Sequence, residues 1–552
     1  MSYRKVELAL GQLWREFKHV NRFRQALKSP RAAQESKLMA IVRANEKTSF
    51  GKKHGFSKIA SLRDFQKAVP VSTYEDLLPY IEATMKGRRG QLTEEDPVMF
   101  ATTSGTTGKP KYLPITPTHL RDYAHAFQVH NYSLIKDFRH EARGSFLIFS
   151  SNDEEGFTEA GIPYGAVSGL LRRRQSPLVQ KYFTLPHMVS KIKDVEVKYY
   201  TMLRLALCQD VTAILGCNPS TFLLFADQLE EHAGELIADI FDGGLRKAYS
   251  PPPNIINQLH PYLKPDPRRS RELEKILRAC GKLTPRAAWP GLGALSCWKG
   301  GPLSFYLDRL SQRYDNLPIR DFGYMASEGR GTIPLTNEGA GGVVAVTCHF
   351  FEFVKEGEMD KSSPAYLTAD ELEMGQRYYI HFTTAAGLYR YNINDLIEVV
   401  GFEEMTPIIQ FVQKGMGVSS VTGEKLTEEQ VQVALCYAVR QLQLTAIDHF
   451  TFAVRLGHPP SYVCFIELKQ ELPESVEREF LRVFEQSLQL QNIEYKDKRL
   501  TKRLGPPSIQ RVPSGTFTKL RQQRVLQGAP EAQVKIPLLT ASHNFQDTLA
   551  AL

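Results

Sequence analysis

Apolar positions along the chain change period, and the period predicts the elements. Between Thr427 and Leu442, the residues Val431, Leu435, Ala438, Val439 and Leu442 recur at helical spacing. Residues 450–454 and 462–468 read as strands, joined through Gly457-His458-Pro459-Pro460 as a hairpin. Pro473-Glu474-Ser475 then opens a second helix, with Val476, Phe480, Val483, Phe484 and Leu488 as its apolar stripe. Upstream, the short apolar runs 146–150, 212–215 and 319–322 predict strands, with helical segments 222–240 and 303–314 between them. Such alternation predicts an α/β architecture with parallel strands. The first sixty residues read as helical and are expected to form a cover.

Two breaks in texture divide this pattern. Pro251-Pro252-Pro253, followed by Pro261, Pro265 and Pro267, marks a surface excursion that enters a charged helix over 270–280. Gln413-Lys414-Gly415-Met416-Gly417 separates short strands with glycine turns from the compact α+β tail. The chain is therefore expected to hold a large N-terminal domain, residues 1–412, and a small C-terminal domain, residues 418–552.

Composition narrows the class. With 552 residues, 42% hydrophobic and 23% charged, the chain is neither disordered, collagen-like nor a disulfide scaffold. No apolar run approaches a membrane span, and residues 1–20 carry charges through their apolar positions, unlike a signal peptide. A soluble, cytoplasmic protein without a membrane partner is expected. Its seven cysteines are not paired at metal-ligand spacing, which suggests buried thiols in a reducing compartment. The fourteen histidines form no HExxH or HxH, so a metal site built on histidine is not expected. A net charge of +9 favours anionic partners, nucleotides or carboxylates as well as nucleic acid. The two basic runs, Arg172-Arg173-Arg174 and residues 496–503, are expected to be solvated surface. No clustered pattern of arginines and aromatics supports a nucleic-acid partner.

The most informative stretch is Ala101-Thr102-Thr103-Ser104-Gly105-Thr106-Thr107-Gly108-Lys109-Pro110-Lys111, directly after the apolar Val98-Met99-Phe100. Glycines permit tight turns whose amides point at one anion, hydroxyls add donors and lysines supply charge. A phosphate-binding loop is expected. It is not a Walker loop, because two residues separate Gly105 from Gly108 and Pro110 stands where Ser or Thr is required.

This loop resembles the phosphate-binding signature of the adenylate-forming superfamily, which includes acyl-CoA synthetases, luciferases and peptide-synthetase adenylation domains. Two further motifs occur in the superfamily's order. Tyr324-Met325-Ala326-Ser327-Glu328 resembles its Tyr-Gly-x-Thr-Glu motif, with Met325 in place of glycine and Gly323 one position before the tyrosine. Gly387-Leu388-Tyr389-Arg390-Tyr391-Asn392-Ile393-Asn394-Asp395 is similar to the Tyr-Arg-x-x-Asp region of one branch, the Gretchen Hagen acyl acid–amido synthetases. Asn394 stands where glycine is usual, the segment continues into a strand over 396–400, and the plainer alternative for Asp395 is a loop residue at the start of that strand. The segments Val69-Pro70-Val71-Ser72-Thr73-Tyr74-Glu75-Asp76-Leu77, Pro513-Ser514-Gly515-Thr516-Phe517 and Gln533-Val534-Lys535-Ile536-Pro537 also resemble that branch. Similarity spans residues 40–540. The loop at 102–111 is closer to general acyl-activating enzymes than to plant members, which suggests a divergent, bacterial relative.

The resemblance implies an α/β adenylate-forming N-terminal domain with mixed sheets and flanking helices, a hinge at 413–417, and a mobile α+β C-terminal domain. It implies ATP and Mg²⁺ as cofactors. Thr103, Ser104, Gly105, Thr106, Thr107, Gly108 and Lys109 would face phosphates, Tyr324 and Ser327 the nucleotide, Asp395 the ribose, and Glu328 the metal. Lys425, Lys519 and Lys535 are the candidates for a C-terminal lysine that reaches the active site. The implied reaction activates a carboxylic acid as an acyl adenylate and transfers it to an amine, an amino acid by family precedent, forming an amide. An acyl-CoA ligase on the same fold and a non-catalytic nucleotide-binding protein are the rival expectations.

Overall fold

A computed structural model describes residues 3–103, 111–359, 361, 364–415, 417–419, 421, 424, 426–457, 459–500, 502, 504–526, 534–542 and 544–552. The chain divides into two compact units. One comprises Met1–Ile393 with Ile397–Phe411, the other Asn394–Leu396 with Val412–Leu552.

The expected parallel sheet forms in the first unit. Its four strands, Ser145–Ile148, Val211–Leu215, Ala294–Cys297 and Ile319–Asp321, lie side by side in chain order and all parallel. Helices between them bury Tyr200, Leu203, Phe222, Phe225, Leu236 and Leu273 into one apolar core. The segment 222–240 is two helices rather than one. Asn218 caps Pro219–Glu231 through its side chain, and His232, at φ −101° and ψ 15°, breaks the helix before Ala233–Asp242. The segment 303–314 likewise starts as a 3₁₀ turn, Gly301–Tyr306, before the α-helix Leu307–Arg313. The run of prolines at 251–267 carries a short helix, Pro253–Leu259, whose Ile255 and Leu259 are buried.

A second core joins two more sheets. The first is mixed, with the hairpin Met99–Thr103 and Lys111–Ile115 within it. The other has six strands in the order Thr332–Ile333, Gly342–Val344, Thr406–Lys414, Tyr391–Glu403, Arg377–Thr383, Phe350–Lys355. The helices over residues 21–53 are part of this core rather than a cover, because Phe23, Leu38, Ile41, Val42 and Phe50 pack into it, whereas Tyr3–Arg15 contributes no described residue to it. Arg172 corrects another expectation. It is buried and donates to the Ser150 hydroxyl at 3.1 Å and to the Leu185 carbonyl, while Arg173 Nε meets the buried Asp153 carboxylate at 2.7 Å. The Ser150 hydroxyl and the Asp153 carboxylate beyond the end of strand Ser145–Ile148, together with the Leu185 carbonyl, recruit these cations.

The second unit is α+β. Ile447–Arg455 and Ser461–Leu468 pair antiparallel, flanked by Ser508–Val512 and Leu539–Thr540. Thr427 and Gln430 form a capping box at the start of helix Glu428–Gln441. Helix Glu474–Gln491 buries Phe480, Val483, Phe484 and Leu488 on the spacing read from sequence. Among the described residues, no helix is long and apolar enough to cross a membrane.

Candidate active site

Strand Ile319–Asp321 ends the parallel sheet, and the chain then turns into a small scaffold. Asp321 is buried and accepts from the backbone N–H groups of Lys299, at 2.7 Å, and Gly323, at 2.6 Å. Burial nevertheless pushes its carboxyl up to about 6. Gly323 has φ +91°, and a Cβ there would lie 2.9 Å from the Thr332 carbonyl, so this position requires glycine. It supplies, two residues before Met325, the freedom that Met325 lacks. Gly331 has a different reason: a Cβ would fall 2.3 Å from the Tyr324 ring.

Tyr324 is thereby held flat. Its N–H donates to Thr332 Oγ1 at 2.9 Å, and its carbonyl accepts from Gly331 and Thr332. The ring stacks on Phe411 with centroids 5.9 Å apart and planes 11° from parallel. Met325–Ala326 and Gly329–Arg330 then pair antiparallel, with Ala326 opposite Gly329. Ser327 and Glu328 are the two residues at the tip of this hairpin. Both are largely buried, at 3% and 9% exposure, and Ser327 Oγ finds no hydrogen-bond partner among the described residues. A buried hydroxyl in that state carries a desolvation cost unless a ligand meets it.

The hairpin rests on buried polar groups. The Arg330 guanidinium donates to the carbonyls of Thr332 and Phe322 and lies 4.4 Å over the Phe127 ring; burial lowers it to about 10. Tyr123 donates to the Ala326 carbonyl, and the Arg330 N–H donates to His349 Nε2 at 3.2 Å. His119 stacks on His349 at 5.1 Å, and burial pushes it down to about 3, so it is neutral. Asp321, Arg330 and these histidines were not singled out from sequence. Only the Asp-Phe-Gly turn before Tyr324 carried a signal.

For the phosphate-loop candidates, the structure fixes the two ends. Thr103 pairs with Lys111 in the hairpin register, and Tyr74 braces the second strand by accepting from the Tyr112 N–H at 2.9 Å. Ser104, Gly105, Thr106, Thr107, Gly108 and Lys109 lie outside the described residues. The Tyr-Glu-Asp segment is architectural, since Asp76 completes a capping box with Thr73.

Asp395 is not the loop residue of the plainer alternative. The strand begins at Tyr391, so Asp395 sits inside it and is buried. Asn394 has φ +57°, the left-handed conformation for which glycine is usual and asparagine is the least strained substitute. The preceding Arg390 is a clamp. It pairs with buried Glu352 at 2.8 Å and donates to the carbonyls of Gln66 and Val69, while Ser72 bonds the carbonyls of Tyr389 and Arg390.

In the second unit, Lys519 is exposed on helix Thr516–Leu526 and donates to the Leu552 carbonyl at 3.3 Å. Lys535 is also exposed, its carbonyl bonded by Arg524 at 2.9 Å, and Lys425 lies outside the described residues. The Gly-Thr-Phe segment is structural: Glu467 accepts from the Gly515 and Phe517 N–H groups, and the Phe517 ring is buried. Asp448, His449 and Glu467 are grouped closely enough for a cation. Both Glu467 oxygens, however, are already taken by those amides.

Known proteins share this organisation. The chain matches the GH3 family N-terminal domain over residues 19–319, the GH3 family central domain over 342–414 and the GH3 family C-terminal domain over 429–544. It is 26% identical to a jasmonoyl–L-amino acid synthetase, GH3.5, of Oryza sativa subsp. japonica, over 94% of each chain. To an indole-3-acetic acid-amido synthetase, GH3.6, of Arabidopsis thaliana it is 27% identical, over 91% of this chain and 87% of that protein. The fold is that of the solved GH3.15 acyl acid amido synthetase, with a TM-score of 0.85 at 24% identity over 96% and 95% of the two chains. The three domain matches run in order along the chain that carries Tyr324, Glu328 and Asp395, and the chain belongs to the GH3 family.

Proposed function

We propose that this chain is an ATP-dependent ligase that activates a carboxylic acid as its acyl adenylate and transfers the acyl group to an amino acid, forming an amide. The observation that carries this reading is the buried Ser327 hydroxyl, unmet by any described residue, beside Glu328 at the tip of the hairpin after Tyr324. That is where a nucleotide would supply the missing partner. The relatives named as jasmonoyl–L-amino acid and indole-3-acetic acid-amido synthetases support an amino acid as acceptor.

In the first half-reaction a carboxylate oxygen attacks the α-phosphorus of ATP and pyrophosphate leaves. Amides, hydroxyls and an ammonium from Thr103, Ser104, Gly105, Thr106, Thr107, Gly108 and Lys109 would meet the phosphate charge; the pairing of Thr103 with Lys111, which closes that loop, supports the assignment. The Tyr324 face is suited to the flat adenine, Ser327 to a polar atom of the nucleotide, and the Asp395 carboxylate to the ribose hydroxyls. Mg²⁺, when bound, would offset phosphate charge, and the Glu328 carboxylate fits the oxygen ligand such a hard cation prefers. In the second half-reaction the amine nitrogen attacks the activated carbonyl, the C–N bond forms and AMP leaves.

Lys425, Lys519 and Lys535 are the candidates for the lysine that stabilises the first transition state. The end of strand Thr406–Lys414 and the unit boundary at Phe411/Val412 support residues 413–417 as the hinge between domain 1–412 and domain 418–552. We place the protein in the cytoplasm, in keeping with cysteines that form no disulfide. The test is ATP–pyrophosphate exchange with a panel of acids that includes jasmonic and indole-3-acetic acid. Exchange that requires an acid is expected; exchange with none of them would overturn the proposal.

A further inference from the structure

The helix Tyr3–Arg15 shows its polar side to the protein and its apolar side to water. Glu7 pairs with Lys181 at 2.7 Å, Gln12 donates to the Tyr132 carbonyl at 3.0 Å, and Arg15 donates to Gln128 at 2.9 Å. The Arg4 guanidinium lies 4.0 Å over the Tyr182 ring. On the opposite face Val6, Leu10, Leu13, Trp14 and, in the next turn, Phe17 are exposed by 43%, 62%, 63%, 48% and 85%. Their spacing makes one continuous helical stripe. Single exposed apolar residues are ordinary; a stripe whose polar neighbours turn inward is not.

Charge decides what covers it. Lys5, Lys18, Arg22, Arg24 and Lys28 are exposed along the same helical stretch. Lys18 Nζ lies 5.6 Å over the Trp14 ring, and the acidic Glu16 is paired with Arg24 at 3.3 Å. A second copy of this surface would bring cations against cations. A bilayer with anionic headgroups satisfies both features, taking Leu, Trp and Phe at the acyl boundary and lysine and arginine at the phosphates.

We infer that this N-terminal helix is an interfacial anchor that docks the protein on an anionic lipid surface. Lying on a membrane differs from crossing one. The linear sequence hid the stripe because charged residues interrupt it at every turn, and only the helical projection gathers it. The inference stands apart from the reaction proposed above.

The test is sedimentation of the full chain with phosphatidylcholine vesicles, with and without phosphatidylglycerol. Binding to the anionic vesicles is expected, weakening as salt rises. Leu10→Ser with Phe17→Ser should reduce it by about tenfold or more. Lys18→Glu with Arg22→Glu should abolish the preference for anionic over neutral vesicles. These side chains are at the surface, so melting curves should match the wild type. No binding to anionic vesicles at low salt would overturn the inference, as would equal binding by the Leu10/Phe17 variant. A wild-type dimer that the same variant disperses, seen by sedimentation velocity without lipid, would assign the stripe to a second copy and overturn it equally.

Discussion

Arg390 Nε donates to Glu352 Oε2 at 2.8 Å, and both side chains are buried, at 5% and 1% exposure. The pair fastens the turn before Asp395 to strand Phe350–Lys355 of the same six-stranded sheet, and the remaining guanidinium contacts fasten it to the carbonyls of Gln66 and Val69. Removing one partner leaves a buried charge with nothing to offset it. Glu352→Ala should therefore destabilise the protein by about 3–5 kcal/mol, and Glu352→Gln, which keeps an acceptor, by clearly less. Chemical denaturation of the two variants checks the order. Equal loss would mean that the ion pair does not organise this turn.

At Asn394 the backbone conformation sets the expectation. With φ +57°, Asn394→Gly should be neutral or stabilising, whereas Asn394→Val should cost about 1–2 kcal/mol. The same denaturation series measures it. A valine variant of wild-type stability would contradict the strain.

At Ser327, ligand binding and stability should separate. Because its hydroxyl meets no described residue, Ser327→Ala should leave the melting temperature unchanged or raise it slightly. The same substitution should weaken ATP-dependent exchange about tenfold, through loss of one hydrogen bond to a charged ligand. Glu328→Gln should raise the Mg²⁺ concentration needed for half-maximal exchange, since an amide is a poorer ligand for a hard cation. Exchange kinetics with unchanged ATP and Mg²⁺ dependence would remove both assignments.

Acid should unfold the protein by way of its buried histidines. Burial pushes His119 down to about 3, His125 and His381 to about 4, and His130 and His349 well below their ordinary value. Unfolded, each titrates near 6.5, so below that pH the unfolded chain binds protons that the native chain refuses. Their stabilisation is whole above pH 6.5 and is lost as pH falls toward 4, by about 1.4 kcal/mol per unit for each. Asp122 and Asp321, pushed up to about 6 by burial, act with the opposite sign. The informative quantity is thus the difference between variant and wild type. His119→Phe, which keeps a ring stacked on His349, should gain about 1 kcal/mol on the wild type at pH ~5.5 relative to pH ~7.5. No such difference in melting would show that His119 protonates in the folded state.

Much of this was legible in the residues. The strand and helix periods of the C-terminal unit predicted its hairpin and both helices, because each element buries one face with a clear repeat. Tyr324, Ser327 and Glu328 were visible as a motif. What supports them was not: Asp321, Arg330 and His349 act through contacts between residues distant in the chain. Arg172 misled for the same reason, since three consecutive arginines look solvated until the Leu185 carbonyl and the Ser150 hydroxyl are found beside the first. The break at His232 and the early start of strand Tyr391–Glu403 depend on tertiary packing and on Asn394 adopting a positive φ. Neither leaves a periodic signal.

An acyl adenylate formed on this chain should be consumed by an amine. The most direct test is one reaction containing ATP, Mg²⁺, an acid that supports pyrophosphate exchange, a mixture of amino acids and coenzyme A, with the products identified by mass spectrometry. The expected products are an acyl–amino acid amide with AMP and pyrophosphate in equal amounts. A CoA thioester as the sole acyl product, or ADP and phosphate in place of AMP and pyrophosphate, would contradict this expectation.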